Sequence, residues 1–593
     1  MKTLQTQQTK TYIILLLVIA FNYSSAQNFL ENDASHKRSD SITINPSLYW
    51  GTFFHSLNPG QASGGNHVVF DTFGNIYIVG KTQGTTIIST PGCHQATSGG
   101  GYDGFVQKFN WAGERIWGTY YGGNHDDGIK SIAIDQNGDI VFVGYTNSTN
   151  GIATQGSHQE IHAGGGYADD CLIVKMTKDG DRLWGTYLGG MNFDAAYSIS
   201  IDNQNNILIC GKTISLENFS TPGCHQPNYG GSVYGDGFYA KFNSNGELLY
   251  CTYYGGEDYD AAYAVKTDSK GYVYVAGHSH SITNIGTPGT HQPYNYNGVD
   301  AFIVKFDSVG VRQWGTYFGG SGTDDIFDIC FDSLDNIYAV GFTDSYESNI
   351  ATPGAHQEIS MGPDGFISKF NPESIQVWGT YFGGDDLDRM IAIDMDNNNS
   401  CLLIGGYSKS QNGISTIGAH QSYVYSNNPD GVLTGFDLDG QQLWGTYIGG
   451  AGQDYIFDIA IDDNANLYYV GQTTSDYSNF MTTPNCFQDE GLSTSAFFGR
   501  FSFDSIPVSI PQFAEIKKIE ILPNPCTGNV CEIKTDGSFA KIIVFNSMFQ
   551  LVQVEEFHPK QSHILDVSFF AKGIYFVKIK FESSIAVIKF VKN

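Results

Sequence analysis

Trp117-Gly118-Thr119-Tyr120-Tyr121-Gly122-Gly123 decides how the chain folds, because it comes back. It returns as Trp184-Gly-Thr-Tyr-Leu-Gly-Gly, Trp314-Gly-Thr-Tyr-Phe-Gly-Gly, Trp378-Gly-Thr-Tyr-Phe-Gly-Gly and Trp444-Gly-Thr-Tyr-Ile-Gly-Gly. Tyr250-Cys-Thr-Tyr-Tyr-Gly-Gly is a worn copy, and Trp50-Gly-Thr-Phe-Phe lacks its Gly-Gly. The copies start at 50, 117, 184, 250, 314, 378 and 444, spaced by 64 to 67 residues. A fixed period of this kind marks stacked copies of one supersecondary unit.

Each period holds four strand-like runs and no helical spacing of apolar residues. In one period the runs are Ile129 to Asp135, Asp139 to Tyr145, Asp170 to Met176 and Arg182 to Leu188. Asn137-Gly138 and Asp179-Gly180 supply tight turns. A long loop through Gly156-Ser157-His158-Gln159 joins the second run to the third. Four antiparallel strands buried on both sides make a propeller blade. The last repeat lacks its fourth strand, and an orphan copy, Leu48 to Phe54, stands at the start. Joining the two closes a ring of seven blades and removes the exposed edges. The expected class is all-β: a seven-bladed β-propeller over 47–503.

The recurring Asp-x-x-Gly-Asn-Ile-Tyr-x-x-Gly, Asp-Gly-Phe-x-x-Lys-Phe and Trp-Gly-Thr-Tyr-x-Gly-Gly resemble the bacterial β-propeller repeat called SBBP. The resemblance implies a propeller of an extracellular or surface protein and supplies no catalytic motif. Residues 504–515, with Pro507 and Pro511, read as a linker. Residues 516–593 keep short alternating runs, the pattern of a small Ig-like β-sandwich. Ile521-Leu522-Pro523-Asn524-Pro525, Gly573-Ile574-Tyr575-Phe576-Val577-Lys578 and Lys589-Phe590-Val591-Lys592 resemble the C-terminal sorting domain of type IX secretion. That resemblance implies a Gram-negative envelope, export across the outer membrane, and the secretion machinery as a partner of this tail.

The other end reads as a secretory signal over 1–26. Lys2 and Lys10 precede an apolar core from Tyr12 to Phe21, and Ser24-Ser25-Ala26 offers small residues for cleavage. Ten apolar residues are too few to span a bilayer, and no other stretch is long enough for a membrane helix. Residues 27–46 read as a polar lead-in. Between the termini, 47–515 carries 17 Lys and Arg against 50 Asp and Glu. Such a surface repels phosphate backbones, which excludes nucleic acid as a partner class, and attracts cations. The ten cysteines form no regular framework and read mostly as small buried hydrophobes.

Several residue series repeat. His94, His158, His225, His291, His356 and His420 each precede Gln. An active site needs one such histidine, not one per blade, so these read as structural. Asp103, Asp170, Asp236, Asp300, Asp364 and Asp430 open the third run, and Asp127, Asp194, Asp260, Asp325, Asp388 and Asp454 follow Gly-Gly. These twelve are either turn-forming side chains or ligands of Ca²⁺, which takes carboxylate and carbonyl oxygens. Asp71 and its equivalents at the end of each first run read as turn residues. His278-Ser279-His280 occurs once and reads as a solvated polar pair. No nucleophile elbow, zincin motif or phosphate loop is present.

Within a blade the long His-Gln loops and the Gly-Gly loops share one end, here called the upper face. The positions that vary there are Lys81, Tyr145, Lys212, His278, Phe342, Tyr407 and Gln472. Loops on a rigid scaffold are where binding usually resides. The expectation is a secreted or surface propeller that binds a glycan or protein through this face. The alternatives are a propeller hydrolase or lyase, or a structural surface-layer component.

Overall fold

The computed structural model describes residues 46–503 and 519–592, apart from short internal segments such as 56–61 and 547–550. The signal region 1–26, the lead-in up to residue 45 and the linker 504–515 lie outside the described residues. The chain divides into two compact units after Val508.

The first unit is seven four-stranded antiparallel sheets. Blade 1 takes β2 (Ser63–Phe70), β3 (Ile76–Thr82), β4 (Asp103–Phe109) and β5 (Arg115–Tyr121) in sequence order. Blades 2 to 6 repeat that order. In blade 7 the fourth place is filled by β1 (Pro46–Phe54), which pairs antiparallel with Ser495–Phe503. Trp50, Phe53 and Phe54 of β1 are buried, so the closing strand contributes core as well as backbone pairing.

The first strands pack on one another all the way round, the last one against β2. They therefore line the central channel. Each begins at the Asp after Gly-Gly or at its equivalent: Ser63, Asp127, Asp194, Asp260, Asp324, Asp388 and Asp454. Second and third strands are buried on both faces; Ile140–Thr146 and Asp170–Met176 are almost wholly so. Burial on both sides explains their continuous apolar runs.

The signature stretch holds neighbouring blades together. The Trp indole N–H donates to a carbonyl in the next blade's third–fourth turn: Trp50 to Trp111, Trp117 to Lys178 and Trp314 to Pro372, at 3.1 to 3.2 Å. In the worn copy the Tyr250 hydroxyl does the same, to Gly310 at 2.8 Å. The ring lies on a turn glycine of positive φ, such as Gly246 (φ 84°) beneath Trp184, where a side chain would be strained and in the way. At the lower end of each first strand, Asp135 and Asp202 accept from strand-three lysines Lys175 and Lys241 at 2.7 and 2.9 Å.

The second unit is a five-stranded antiparallel sheet. Ile519–Leu522, Val530–Asn546, Gly573–Phe581 and Ile585–Lys592 lie in that order, with Leu551–Asp566 also on Val530–Asn546. Cys526, Cys531, Ile533, Val544, Val577 and Phe590 share its core. The described strands form one connected sheet; a separate second sheet, as an Ig-like sandwich requires, is not among them.

Candidate functional site

The Gly-Gly junctions come first, because they hold the upper face in place. In the junction between blades 2 and 3, Gln159 Oε1 accepts from Gly189 N (3.1 Å) and its Nε2 donates to Asp170 Oδ2 (3.1 Å). Asp194 accepts from Gly190 N (2.8 Å), from the Ser215 hydroxyl (2.7 Å) and from the Thr213 hydroxyl. A Cβ on Gly189 would stand 2.5 Å from Asp170 Oδ1 and 2.9 Å from Asp194 Oδ2. The first glycine of the motif is therefore small because two carboxylates face each other across it. Histidine has a separate part: His225, His291 and His356 pack edge-on against Phe306, Phe370 and Phe436 of the next blade. Burial holds those imidazoles below their usual range, hence neutral.

The two aspartate series thus meet in pairs: Asp103 with Asp127, Asp170 with Asp194, Asp236 with Asp260, Asp300 with Asp324, Asp364 with Asp388 and Asp430 with Asp454. All are fully buried. One expected member is corrected: Asp324, not Asp325, accepts from Gly320 N and Ser345 Oγ, both at 2.8 Å. Two adjacent aspartates hid the register. The seventh junction has Ser63 and Ser495 in the two places. Burial, the largest cause, pushes Asp127, Asp170, Asp194, Asp236, Asp300, Asp388 and Asp430 up to about 7. Every strand-three member keeps one buried oxygen, Oδ1, with no hydrogen-bond partner. The groups around each pair are N–H and O–H donors, whereas a calcium ion needs six to eight oxygen ligands. Among the described residues no group of three or more His, Cys, Asp or Glu could hold a metal. Burial favours the protonated form of these aspartates.

Inside these junctions the channel opens as a throat. The seven variable residues lie on the second strands, directly opposite Gly64, Gly128, Ala195, Ala261, Asp325, Arg389 and Tyr455. Several reach the next blade. Lys81 Nζ lies 3.4 Å from the Tyr145 hydroxyl. Lys212 sits 4.6 Å from the Tyr259 ring centre, and the Arg389 guanidinium 4.4 Å from that of Phe342. Tyr407 meets Tyr455 edge-on at 4.7 Å. His278 is buried, not solvated, and its Nδ1 lies 2.5 Å from Asp325 Oδ1.

A second ring was not found by sequence reasoning. Every first strand carries the same register shift, for instance between Ala262 and Ala264. A bulge re-aims the extra residue, here Asn66, Lys130, Tyr197, Tyr263, Phe327, Ile391 and Phe457. All seven are half-buried. Tyr197 stacks on Tyr263 at 5.7 Å, and Tyr263 packs on Phe327 at 5.7 Å. The available signal was variability at one place, four residues into strands otherwise alike. Below this ring is a cavity of about 370 Å³ lined by His67, Ser200, Lys266, Asp328, Asp394 and Asp458 among others. Its carboxylates tie blades together: Asp328 accepts from Ile393 N, Asp394 from Ile461 N and Asp458 from Val68 N.

Comparison with known proteins agrees with this architecture. The family model "Beta-propeller repeat" matches residues 313–347 and 443–478, and "Secretion system C-terminal sorting domain" matches 520–593. An uncharacterized WD repeat-containing protein of Acanthamoeba polyphaga mimivirus is 22% identical over 75% of this chain and 32% of its own length. The regulatory protein FlaEY of Caulobacter vibrioides is 20% identical over 54% of this chain and 34% of its own. The chain spans about a third of the length of these relatives. Among solved structures, a Synechocystis apocarotenoid oxygenase is 9% identical with a TM-score of 0.34, covering 73% of this chain and 89% of that one. A lignostilbene dioxygenase of Pseudomonas brassicacearum is 11% identical with a TM-score of 0.33, covering 75% and 89%. Likeness at that level says nothing about activity. The chain joins a seven-bladed β-propeller of SBBP-type repeats to a C-terminal sorting domain of a secretion system.

Proposed function

We propose that this is a secreted or cell-surface propeller that binds a glycan or protein ligand through its upper face. The observation that carries the reading is the throat: two rings whose residues differ from blade to blade, set in a framework that hardly varies. Exposed tyrosines add to it. Tyr234, Tyr294, Tyr296, Tyr346, Tyr423 and Tyr425 stand on the long loops of blades 3 to 6. Tyrosine offers large contact area with a polar tip at low entropic cost. Export begins at the signal region and uses the type IX sorting tail, so the ligand is met outside the cell.

The purified full chain, probed against glycan and protein arrays, tests the binding reading. Replacing Tyr145, His278 and Tyr407 with Ala is expected to abolish the strongest hit, and replacing Asn137, Asp179 and Asn205 in the lower turns is expected to leave it. Loss only in the lower-turn variant would refute the placement. For export, deletion of 516–593 is expected to retain the propeller in the periplasm; surface display without the tail would sink that part.

A further inference from the structure

The throat is cationic in a strongly acidic domain. Lys81 and Lys130 stand on blades 1 and 2, Lys212 on blade 3 and Arg389 on blade 6. The two rings and the residues opposite the first hold one carboxylate, Asp325, and it is bonded to His278. The surrounding 47–515 carries 50 acidic against 17 basic residues. The buried strand-three lysines have acidic partners, as Lys108, Lys175 and Lys241 do. Among the described residues no carboxylate lies within 4.0 Å of the four throat cations; aromatic rings hold them instead. Lys130 is pushed down to about 8, by burial first and then by Lys81. Two cations crowd beside Tyr145 with no carboxylate in direct ion-pair contact, Asp169 and Asp126 being its more distant charged neighbours.

Across the throat the chemistry changes. Tyr197, Tyr263 and Phe327 form a continuous aromatic wall. Beside it His278, 7% exposed, turns Nδ1 to Asp325 and keeps a buried Nε2 with no partner. A carboxylate on Nδ1 fixes the tautomer, so that Nε2 is left as an acceptor for a hydroxyl. A cationic pair, an aromatic platform and one oriented acceptor are the complement of a sugar that bears an acidic group. The acidic surroundings repel a polyanion, so a single charge at a chain end fits better than a charged polymer.

We propose that the throat receives the uronate end of a glycan, with its carboxylate at Lys81 and Lys130, its ring on Tyr197 and Tyr263, and a hydroxyl donating to His278 Nε2. The proposal rests on the upper-face binding reading and names its ligand class. The test is calorimetry on the full chain with oligosaccharides ending in glucuronate or galacturonate, and with the same sugars reduced to neutral ends. Acidic-ended sugars are expected to bind at least about tenfold more tightly. Lys81→Gln with Lys130→Gln should erase that preference without moving the melting temperature. His278→Ala should weaken both sugars, and NMR of the lysine side chains should show Lys130 titrating at higher pH once the acidic sugar is bound. Equal binding of the two sugars, or a preference that survives the lysine changes, overturns the proposal. If neither sugar binds while a protein ligand is lost on upper-face substitution, the uronate proposal falls and the upper-face reading stands. If upper-face substitutions alter no binding at all, both fall.

Discussion

The blade junctions and the throat lie side by side and follow opposite rules. At the junctions the same two aspartates face each other six times, with the same glutamine and glycines around them. In the throat no residue type appears more than twice in either ring. A junction must solve one problem, the docking of one blade on the next, so each solution is alike. The throat is a single surface seen by a single ligand, so each blade contributes something different. Ser63 and Ser495 sharpen the contrast: where one aspartate is lost its partner is lost too, which is expected if neither is tolerated as a lone buried charge.

The largest expected effect lies at the closing junction. A chain lacking 46–54 loses the burial of Trp50, Phe53 and Phe54 alone, on the order of 5 kcal/mol, and exposes two strand edges. It should aggregate or melt far below the full chain in a thermal scan; an unchanged melt would mean the ring is not closed there.

Within a pair the two aspartates should differ. Asp194 accepts on both oxygens, at Oδ1 from the Thr213 hydroxyl and at Oδ2 from Gly190 N and Ser215 Oγ, so Asp194→Asn strands a donor and should cost about 1–3 kcal/mol. Asp170 takes its bonds at Oδ2 and has an unpartnered Oδ1, so Asp170→Asn can place a donor there. Its denaturation midpoint at pH 8 should match or exceed the parent's. Equal losses in both variants would argue against a held proton.

The same pairs set the pH response. Buried aspartates near pH 6–7 keep protons that the unfolded chain releases above about pH 4. Their contribution therefore weakens as pH rises from 4 through 7. The His-Gln imidazoles, lowered by burial, act the other way: the unfolded chain binds protons below about pH 6.5 that the fold does not. The two oppose each other below 6.5; above it the aspartates lead, until Lys130, lowered to about 8, begins to act the other way as pH rises through 8. Stability should fall between pH 6.5 and 8 by on the order of 1 kcal/mol per pair, and the melting temperature with it. A flat limb would mean the pairs are already ionised. The smallest effect is that of chelation: EDTA should leave the melt unchanged, and a clear drop would restore calcium to the junctions.

The framework was legible because it repeats. Trp117-Gly-Thr-Tyr and its copies marked every fourth strand, and the unmatched Leu48–Phe54 marked the closure. What escaped was non-periodic or masked by the period. Asp325 sits beside Asp324, so counting from Gly-Gly took the wrong one, and with it the His278 partner was missed. The bulge at Asn66, Lys130, Tyr197 and their equivalents is a backbone irregularity, and alternation alone places such residues on the wrong side. The tail's apolar alternation fits one curled sheet or two layers equally, since both bury every second residue.

Stability and binding measured together on two variants separate the regions most directly. Asp194→Asn should lower the melting temperature and keep uronate-ended sugar binding below its melt. Lys130→Gln should keep the melting temperature and lose about tenfold in affinity. The reverse pattern, or both properties falling together in either variant, would contradict the division between a framework that holds and a throat that binds.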